Sequence, residues 1–432
     1  MDFSTLLNTT HLLPSVRLSG CQVVRYISTV RIPLASSGLR QIDIEVASEV
    51  LNSGKLTMGE QVKKFESAMA EYLGVQHFVM MNSGSSANLA MIEALLRPAN
   101  TVPKLVQGDS VLVPAIAWPT TIWPLIQLGL NPVFIDVDLK TLALDLTKAQ
   151  SVIDNSETRI RGIFPIHPLG FSIPPSILED FVARNDLILI NDVCESLGSR
   201  REGKHAGTSG IAGSYSFYFS HHITTMEGGG VSTDDPIFAD DLRSIRSHGW
   251  SRDRADVDTW RDGKSNNDAK FLFVSTGYNI RPMEIQAAIG LSQLRDIETF
   301  IEKRRAIAVS VRNAIANTNL ELIGSDILDS SIHVGGHSWM LLPLLVTGAD
   351  AHKKKIAITS ALEAAEIETR PVLTGNFLSQ PAMKTIGRNH QKPERFPVAT
   401  LITDTAFMVG AHHDLSTDQI EYLCSALVEH SN

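Results

Sequence analysis

The chain is short of the features that mark disulfide-built, cluster-bearing, membrane-spanning or nucleic-acid-binding proteins. Its 432 residues include three cysteines, Cys21, Cys194 and Cys424, odd in number and widely spaced. That argues against a disulfide framework, fits a reducing compartment, and falls one thiolate short of an all-cysteine iron–sulfur cluster. No apolar run reaches the length of a membrane span, and residues 1–30 lack a basic start followed by a continuous apolar stretch. No long basic run offsets the formal net charge of −9, which argues against nucleic acid as the main partner. No repeat, low-complexity segment or Pro/Gly linker interrupts the chain. The expectation is a cytoplasmic protein with no membrane and no nucleic-acid partner. An anionic substrate would have to find its positive groups locally.

What is present is an ordinary globular composition, 43% hydrophobic and 20% charged, long enough for two packed domains. "QIDIEVASEVLNSG" and "VKKFESAMAEYLG" have helical periodicity and stop at Ser53–Gly54 and at Gly74. Short apolar runs follow: "HFVMM", "SVLVPA", "NPVFIDVD", "RGIFPIHPLG", "LILINDV", "SYSFYF" and "GGGVST". Helix-length segments separate the first five, which predicts a mostly parallel sheet covered on both faces. The last two runs are joined by a short segment, so the sheet is expected to be mixed there. The predicted class is α/β, with residues 1–30 an extension, residues 31–300 a large domain and residues 301–432 a smaller C-terminal α/β domain. Ligand pockets often sit between domains that share an interface.

Three segments carry chemistry. In "MNSGSSANLAMIEALL" a strand ends, a Gly/Ser turn follows, and a helix opens near Ser86; free N–H groups there, with Ser85 and Ser86, form a phosphate-binding start, although such turns also simply cap helices. "ILINDVCESLGS" places Asp192 and Glu195 just beyond a buried strand, where α/β sheets bind ligands. An aspartate there keeps a pyridine nitrogen protonated, or else caps a helix. "SYSFYFSHHITTMEGGGVSTDD" brings the adjacent histidines His221 and His222 to a strand end. Neighbours in an extended segment point to opposite sides and no ligand spacing completes a metal site, so proton transfer suits these imidazoles better than metal binding.

With "SGKLTMGEQVKKFE", "VPAIAWPTT", "HGWSRD", "GYNIRPMEIQAAIG" and "RPVLTGNF", these segments resemble, in order, the DegT/DnrJ/StrS group of fold type I pyridoxal-phosphate enzymes over nearly the whole chain after residue 30. The resemblance implies a seven-stranded large domain, pyridoxal or pyridoxamine 5′-phosphate as cofactor, and a homodimer with shared active sites. It assigns Trp118 to stacking on the cofactor ring, Asp192 to the pyridine nitrogen and Glu195 to the phenolic oxygen. Ser85, Ser86 and Ser216 match phosphate contacts, and Asn279 matches a residue that reaches the neighbouring subunit's phosphate. Trp118 also has a bland alternative as buried core. Arg252, Arg281 and Arg370, with His248, are candidates for the substrate's diphosphate, or else for surface and interface salt bridges.

The chain departs from the group at one position. Aminotransferases of this kind place a lysine four residues after Ser-Phe, whereas Ser216-Phe217 is followed by Tyr218, Phe219, Ser220 and His221. Imidazole forms no stable imine, so the cofactor would be held non-covalently. That replacement resembles the C-3 dehydratases of deoxysugar nucleotides, of which one type needs an iron–sulfur cluster and a reductase and the other needs only glutamate. The cysteine count favours the second, with His221 as acid and base, glutamate converted to 2-oxoglutarate, and no reductase partner. A sugar aminotransferase and a non-catalytic cofactor or sugar-nucleotide sensor remain as alternatives; intact Asp192, Glu195 and Ser216 favour an enzyme.

Overall fold

Helices Gln41–Ser53 and Glu60–Leu73 end where the sequence stops them, because Gly54 and Gly74 adopt φ of 69° and 71°. That left-handed conformation is open to glycine at no steric cost and closes the last helical turn. The computed structural model describes residues 30–36, 38–97, 104–327, 336–386 and 391–431. The expected extension over residues 1–29, with Cys21, lies outside the described residues.

The apolar runs become strands: β1 His77–Met81, β2 Ser110–Pro114, β3 Asn131–Ile135, β4 Ile160–Ile163 and β5 Ile188–Asp192. A two-residue hairpin, β6 Arg200–Arg201 and β7 Lys204–His205, precedes β8 Ala212–Ser216 and β9 Gly229–Thr233. Seven of these form one sheet in the order β1-β9-β8-β5-β4-β2-β3. All its neighbours are parallel except β9, which runs antiparallel to both β1 and β8. The mixed register falls where the short β8–β9 connection required it, since a hairpin reverses direction and a helical crossover does not. Strands β2, β5 and β8 are buried along their whole length, whereas β3 at the edge is half-buried at Asn131, Pro132 and Val133.

The long helical stretch after "GYNIRP" is two helices, Glu284–Leu294 and Ile297–Ile315, broken around Arg295 and Asp296. Beyond it, β10 Leu320–Leu322, β11 Leu341–Val346 and β12 Ala406–Gly410 make a second, antiparallel sheet, with β11 in the middle. Its core of Trp339, Leu342, Leu344, Phe407 and Val409 also takes in Ile32, which bridges to Ile367. Residues 30–34 therefore run along this second core, and Arg31 and the Leu34 N–H are held by Glu368. No helix among the described residues is long and apolar enough to cross a membrane.

Candidate active site

The carboxyl ends of β1, β5 and β8 face the second sheet across a cleft of about 530 Å³, the position at which open α/β sheets bind ligands. Its walls include Ser85, Trp118, Asp192, Ser216, His221 and Arg370, and no lysine. A wider groove of about 910 Å³ lies along helices Gln41–Ser53 and Glu284–Leu294. Its buried acid, Glu284, is consumed by the backbone N–H groups of Gly59, Gln61 and Val62.

The helix after β1 opens at Gly84, two residues before the expected start. Ser83 is its N-cap, and the Ser83 hydroxyl accepts from the Ser86 N–H at 3.1 Å. The Ser86 N–H is thereby occupied, and Ser86 does not line the cleft, whereas Gly84 and Ser85 do. The N–H groups of a first helical turn have no intrahelical partner and favour an anion. Glycine at 84 is a steric demand: a Cβ there would lie 2.6 Å from the Ser216 Cβ, so only glycine lets the helix start close on β8.

Asp192 ends β5 and is 4% exposed. No helix follows it; the chain turns instead, and Oδ1 accepts from the Cys194 N–H at 3.1 Å. Oδ2 accepts from the Thr121 hydroxyl at 2.7 Å and from Asn88 Nδ2 at 2.8 Å. A carboxylate offers roughly four lone-pair sites, so three donors leave about one for a cationic N–H from the cleft. Trp118 is 48% exposed on the cleft wall, which removes the buried-core alternative. Its ring is available to a planar ligand.

Glu195 accepts from the Leu169 N–H at 3.1 Å. Burial pushes its carboxyl up to about 7, against the pull of the Arg370 guanidinium. Arg370 has no salt-bridge partner among the described residues and faces the cleft as an uncommitted cation.

His221 sits in the β8–β9 loop, its N–H bonded to the Tyr218 carbonyl at 3.0 Å. Nδ1 lies 3.3 Å from the Met340 sulfur. A thioether only accepts, so this contact favours the proton on Nδ1 and leaves the Nε2 lone pair unpartnered. Burial, then the charges of Arg304 and Arg370, push the imidazole down to about 3, so it is unprotonated near neutral pH and ready to accept a proton. Arg304 is 2% exposed and donates to the His221 carbonyl at 3.3 Å and to the Met340 carbonyl at 2.9 Å. It ties the loop to the second sheet.

Sequence reasoning missed Asn88, Thr121, Arg304 and Met340, since each acts through a tertiary contact that no local pattern encodes. Conversely, His248, Arg252, Asn279 and Arg281 do not line this chain's cleft. His248, Arg252 and Asn279 are exposed; Arg252 packs over Trp250 at 4.1 Å and Arg281 bonds Asn279 at 3.1 Å. Cys194 and Cys424 are free and lie on separate elements, the turn after β5 and the helix Thr417–Ser431.

Comparison with known proteins agrees with this geometry. The profile of the DegT/DnrJ/EryC1/StrS aminotransferase family matches residues 39–428. A GDP-4-keto-6-deoxy-D-mannose 3-dehydratase of Yersinia pseudotuberculosis is 36% identical over 407 residues, covering 92% of this chain and 98% of that protein. A crystal structure of a GDP-4-keto-6-deoxymannose-3-dehydratase variant with bound GDP-perosamine superimposes with a TM-score of 0.82 at 33% identity, over 92% of this chain and all (100%) of the other. Another structure of that enzyme, with a trapped PLP-glutamate geminal diamine, gives a TM-score of 0.80 at 33% identity, again over 92% and 100% of the two chains.

Proposed function

Because the chain belongs to the DegT/DnrJ/EryC1/StrS aminotransferase family, whose fold and cofactor site it carries, we propose that it is a pyridoxal/pyridoxamine 5′-phosphate-dependent 3-dehydratase of a nucleotide-linked 4-keto-6-deoxyhexose. GDP-4-keto-6-deoxy-D-mannose is the proposed substrate and glutamate the amino donor, in line with what similar proteins are named for and bind. One observation carries the reading: the cleft at the carboxyl ends of the sheet presents His221 and, among the described residues, no lysine.

The residues fit the cofactor. The open helix start at Gly84–Ser85 and the Ser216 hydroxyl suit its phosphate, Trp118 its ring, and Asp192 its pyridine nitrogen. When bound, the cofactor supplies an amine for the sugar's 4-keto carbon and a ring that accepts an electron pair. Asp192, gripped by Thr121, Asn88 and the Cys194 N–H, keeps negative charge at the ring nitrogen. Glu195, whose buried carboxyl is easier to protonate than a free one, is placed to share a hydrogen bond with the phenolic oxygen. His221, neutral, takes the proton at C4′ and returns one to the C-3 hydroxyl as it leaves. Arg370 offers charge to a carboxylate or diphosphate.

His248, Arg252, Asn279 and Arg281 are assigned to the partner's site in a homodimer with shared active sites. The exposure of His248, Arg252 and Asn279 outside this chain's own cleft supports that placement. The three scattered cysteines keep the cytoplasm as the expected compartment. Purified protein incubated with glutamate and GDP-4-keto-6-deoxy-D-mannose should release 2-oxoglutarate, ammonia and a 3-deoxy-4-keto sugar nucleotide, identified by mass. A stable 4-amino sugar as sole product would make the protein an aminotransferase, and no turnover with any 4-keto sugar nucleotide would favour a sensor.

A further inference from the structure

Two buried residues hold a left-handed backbone that glycine adopts freely and they do not. Leu169, in the turn after β4, has φ of 51°, and Trp339, just before β11, has φ of 48°. They are 1% and 0% exposed, and neither lines the cleft. Positive φ in a bulky residue is sterically costly, and such conformations gather at functional sites. The two segments are hydrogen-bonded to each other. The Met340 N–H donates to the Leu169 carbonyl and the Ser338 N–H to the Gly170 carbonyl, both at 2.9 Å. Gly170, at φ of 102°, is a steric demand, since a Cβ there would lie 2.2 Å from the Trp339 nitrogen.

Each segment also holds a group proposed for catalysis. On the large-sheet side the Leu169 N–H donates to Glu195 at 3.1 Å, and the Gly170 N–H to the Ser196 hydroxyl at 2.9 Å. On the other side every backbone N–H and C=O of Ser338–Met340 is engaged. The Ser338 carbonyl accepts from His222 Nε2 at 3.2 Å, and the Trp339 N–H donates to His337 Nδ1 at 3.0 Å. The Trp339 and Met340 carbonyls accept from Arg304, which also binds the His221 carbonyl. The Met340 sulfur then meets His221 Nδ1. The His337 ring stacks on Trp339 at 3.8 Å, so the indole is pinned as well.

We propose that Leu169 and Trp339 are positioning residues, whose paired left-handed turns form one backbone bridge that holds Glu195 and His221 in a common frame. The inference deepens the dehydratase reading and rests on it for its catalytic use. Peptide planes are rigid, so the angle between successive planes is set by φ and ψ of the residue between them. At Leu169 one plane aims the N–H at Glu195 and the next aims the carbonyl at Met340. At Trp339 one plane aims the Ser338 carbonyl at His222 and the next aims the Met340 N–H at Leu169. Moving either residue to ordinary φ would redirect one partner of each pair, and with it the group that partner holds.

Two arms test this. Valine resists left-handed φ more strongly than alanine does, because its branched Cβ crowds the backbone. Leu169→Ala deletes more packing than Leu169→Val, so a purely structural role makes alanine the worse variant. The bridge predicts the reverse order. With each variant checked for a native melt, valine should slow the glutamate half-reaction about tenfold at unchanged glutamate affinity, and alanine should slow it less. Alanine as slow as valine or slower, or full rate in both, would overturn the proposal. In the second arm, nitrogen-15 spectra of cofactor-free protein follow the His221 ring, identified by the signals lost in His221→Asn. Gly170→Ala, outside the cleft wall, should move those signals, whereas Leu178→Ala, in the separate core of Leu112, Ile163 and Leu189, should not. If Gly170→Ala does not fold, Leu169→Val takes its place. Unmoved His221 signals would overturn the bridge, as would equal movement in the Leu178 variant. A wild type that fails to convert glutamate would count against the dehydratase reading instead, leaving the second arm to decide the bridge.

Discussion

Nδ1 of His221 and the sulfur of Met340 lie 3.3 Å apart, joining the β8–β9 loop of the large sheet to the first residues before β11 of the second. The orientation of the proposed base is thus set by a residue 119 positions away in the chain. Methionine holds the ring without competing for its proton.

The first prediction concerns the cofactor bond. Borohydride should fix no cofactor to the wild-type chain, because the cleft wall holds no lysine. His221→Lys should restore a covalent, reducible link and abolish most dehydration. Mass spectrometry of borohydride-treated protein checks both, and cofactor fixed to the unmodified chain would be decisive against the assignment.

Asp192→Asn should slow both half-reactions, since both need charge stabilised at the ring nitrogen. A lost carboxylate–cation contact in a water-poor site costs about 2–4 kcal/mol, on the order of a hundredfold or more in rate. Thr121→Val, which removes only the 2.7 Å donor to Asp192, should cost less, about 1–2 kcal/mol. Single-turnover kinetics with glutamate alone would rank the two; Asp192→Asn at full rate would remove this residue from the mechanism.

Glu195 gives a pH signature in the cofactor-free protein. Its folded pKa is raised by burial to about 7, above the unfolded value of 4.5. Its protonated form therefore contributes stability below about pH 4.5, which is lost as pH rises through 7. Glu195→Gln should remove that loss, gaining about 1–3 kcal/mol relative to wild type between acid pH and pH 8. Denaturation melts at several pH values would show parallel profiles if the carboxyl is not perturbed.

His221 has the opposite sign. A folded pKa of about 3 against 6.5 means that its neutral form contributes stability above 6.5, lost as pH falls toward 3. Its ring signals in nitrogen-15 spectra of cofactor-free protein should not titrate between about pH 5.5 and 8. A midpoint near 6.5 would contradict the burial argument.

The last prediction concerns iron. Cys194 and Cys424 sit on separate elements, and an all-cysteine cluster needs four thiolates. Turnover should need glutamate alone, with the B6 cofactor as the sole chromophore. Stoichiometric iron by elemental analysis, or activity only with an added electron donor, would assign the protein to the reductase-dependent dehydratases.

Much of this was legible in the primary structure because it is local. The period of apolar residues sets strand and helix, Gly54 and Gly74 end helices by backbone freedom, and the short β8–β9 link requires an antiparallel strand. The proposed role of His221 rested on the family resemblance, because it stands after Ser216-Phe217 where the family places its lysine. What lay beyond it depends on distant segments meeting. Thr121 and Asn88 reach Asp192 across 71 and 104 residues, and Arg304 reaches His221 across 83. Trp118 has the same sequence whether it is core or cleft wall, and only the packing around it exposes nearly half of the side chain. Residue type, together with the family resemblance, picked out the groups proposed for catalysis. Burial, and the charges that folding sets beside His221 and Glu195, decided their protonation, because desolvation and Coulomb energy are properties of assembled neighbours.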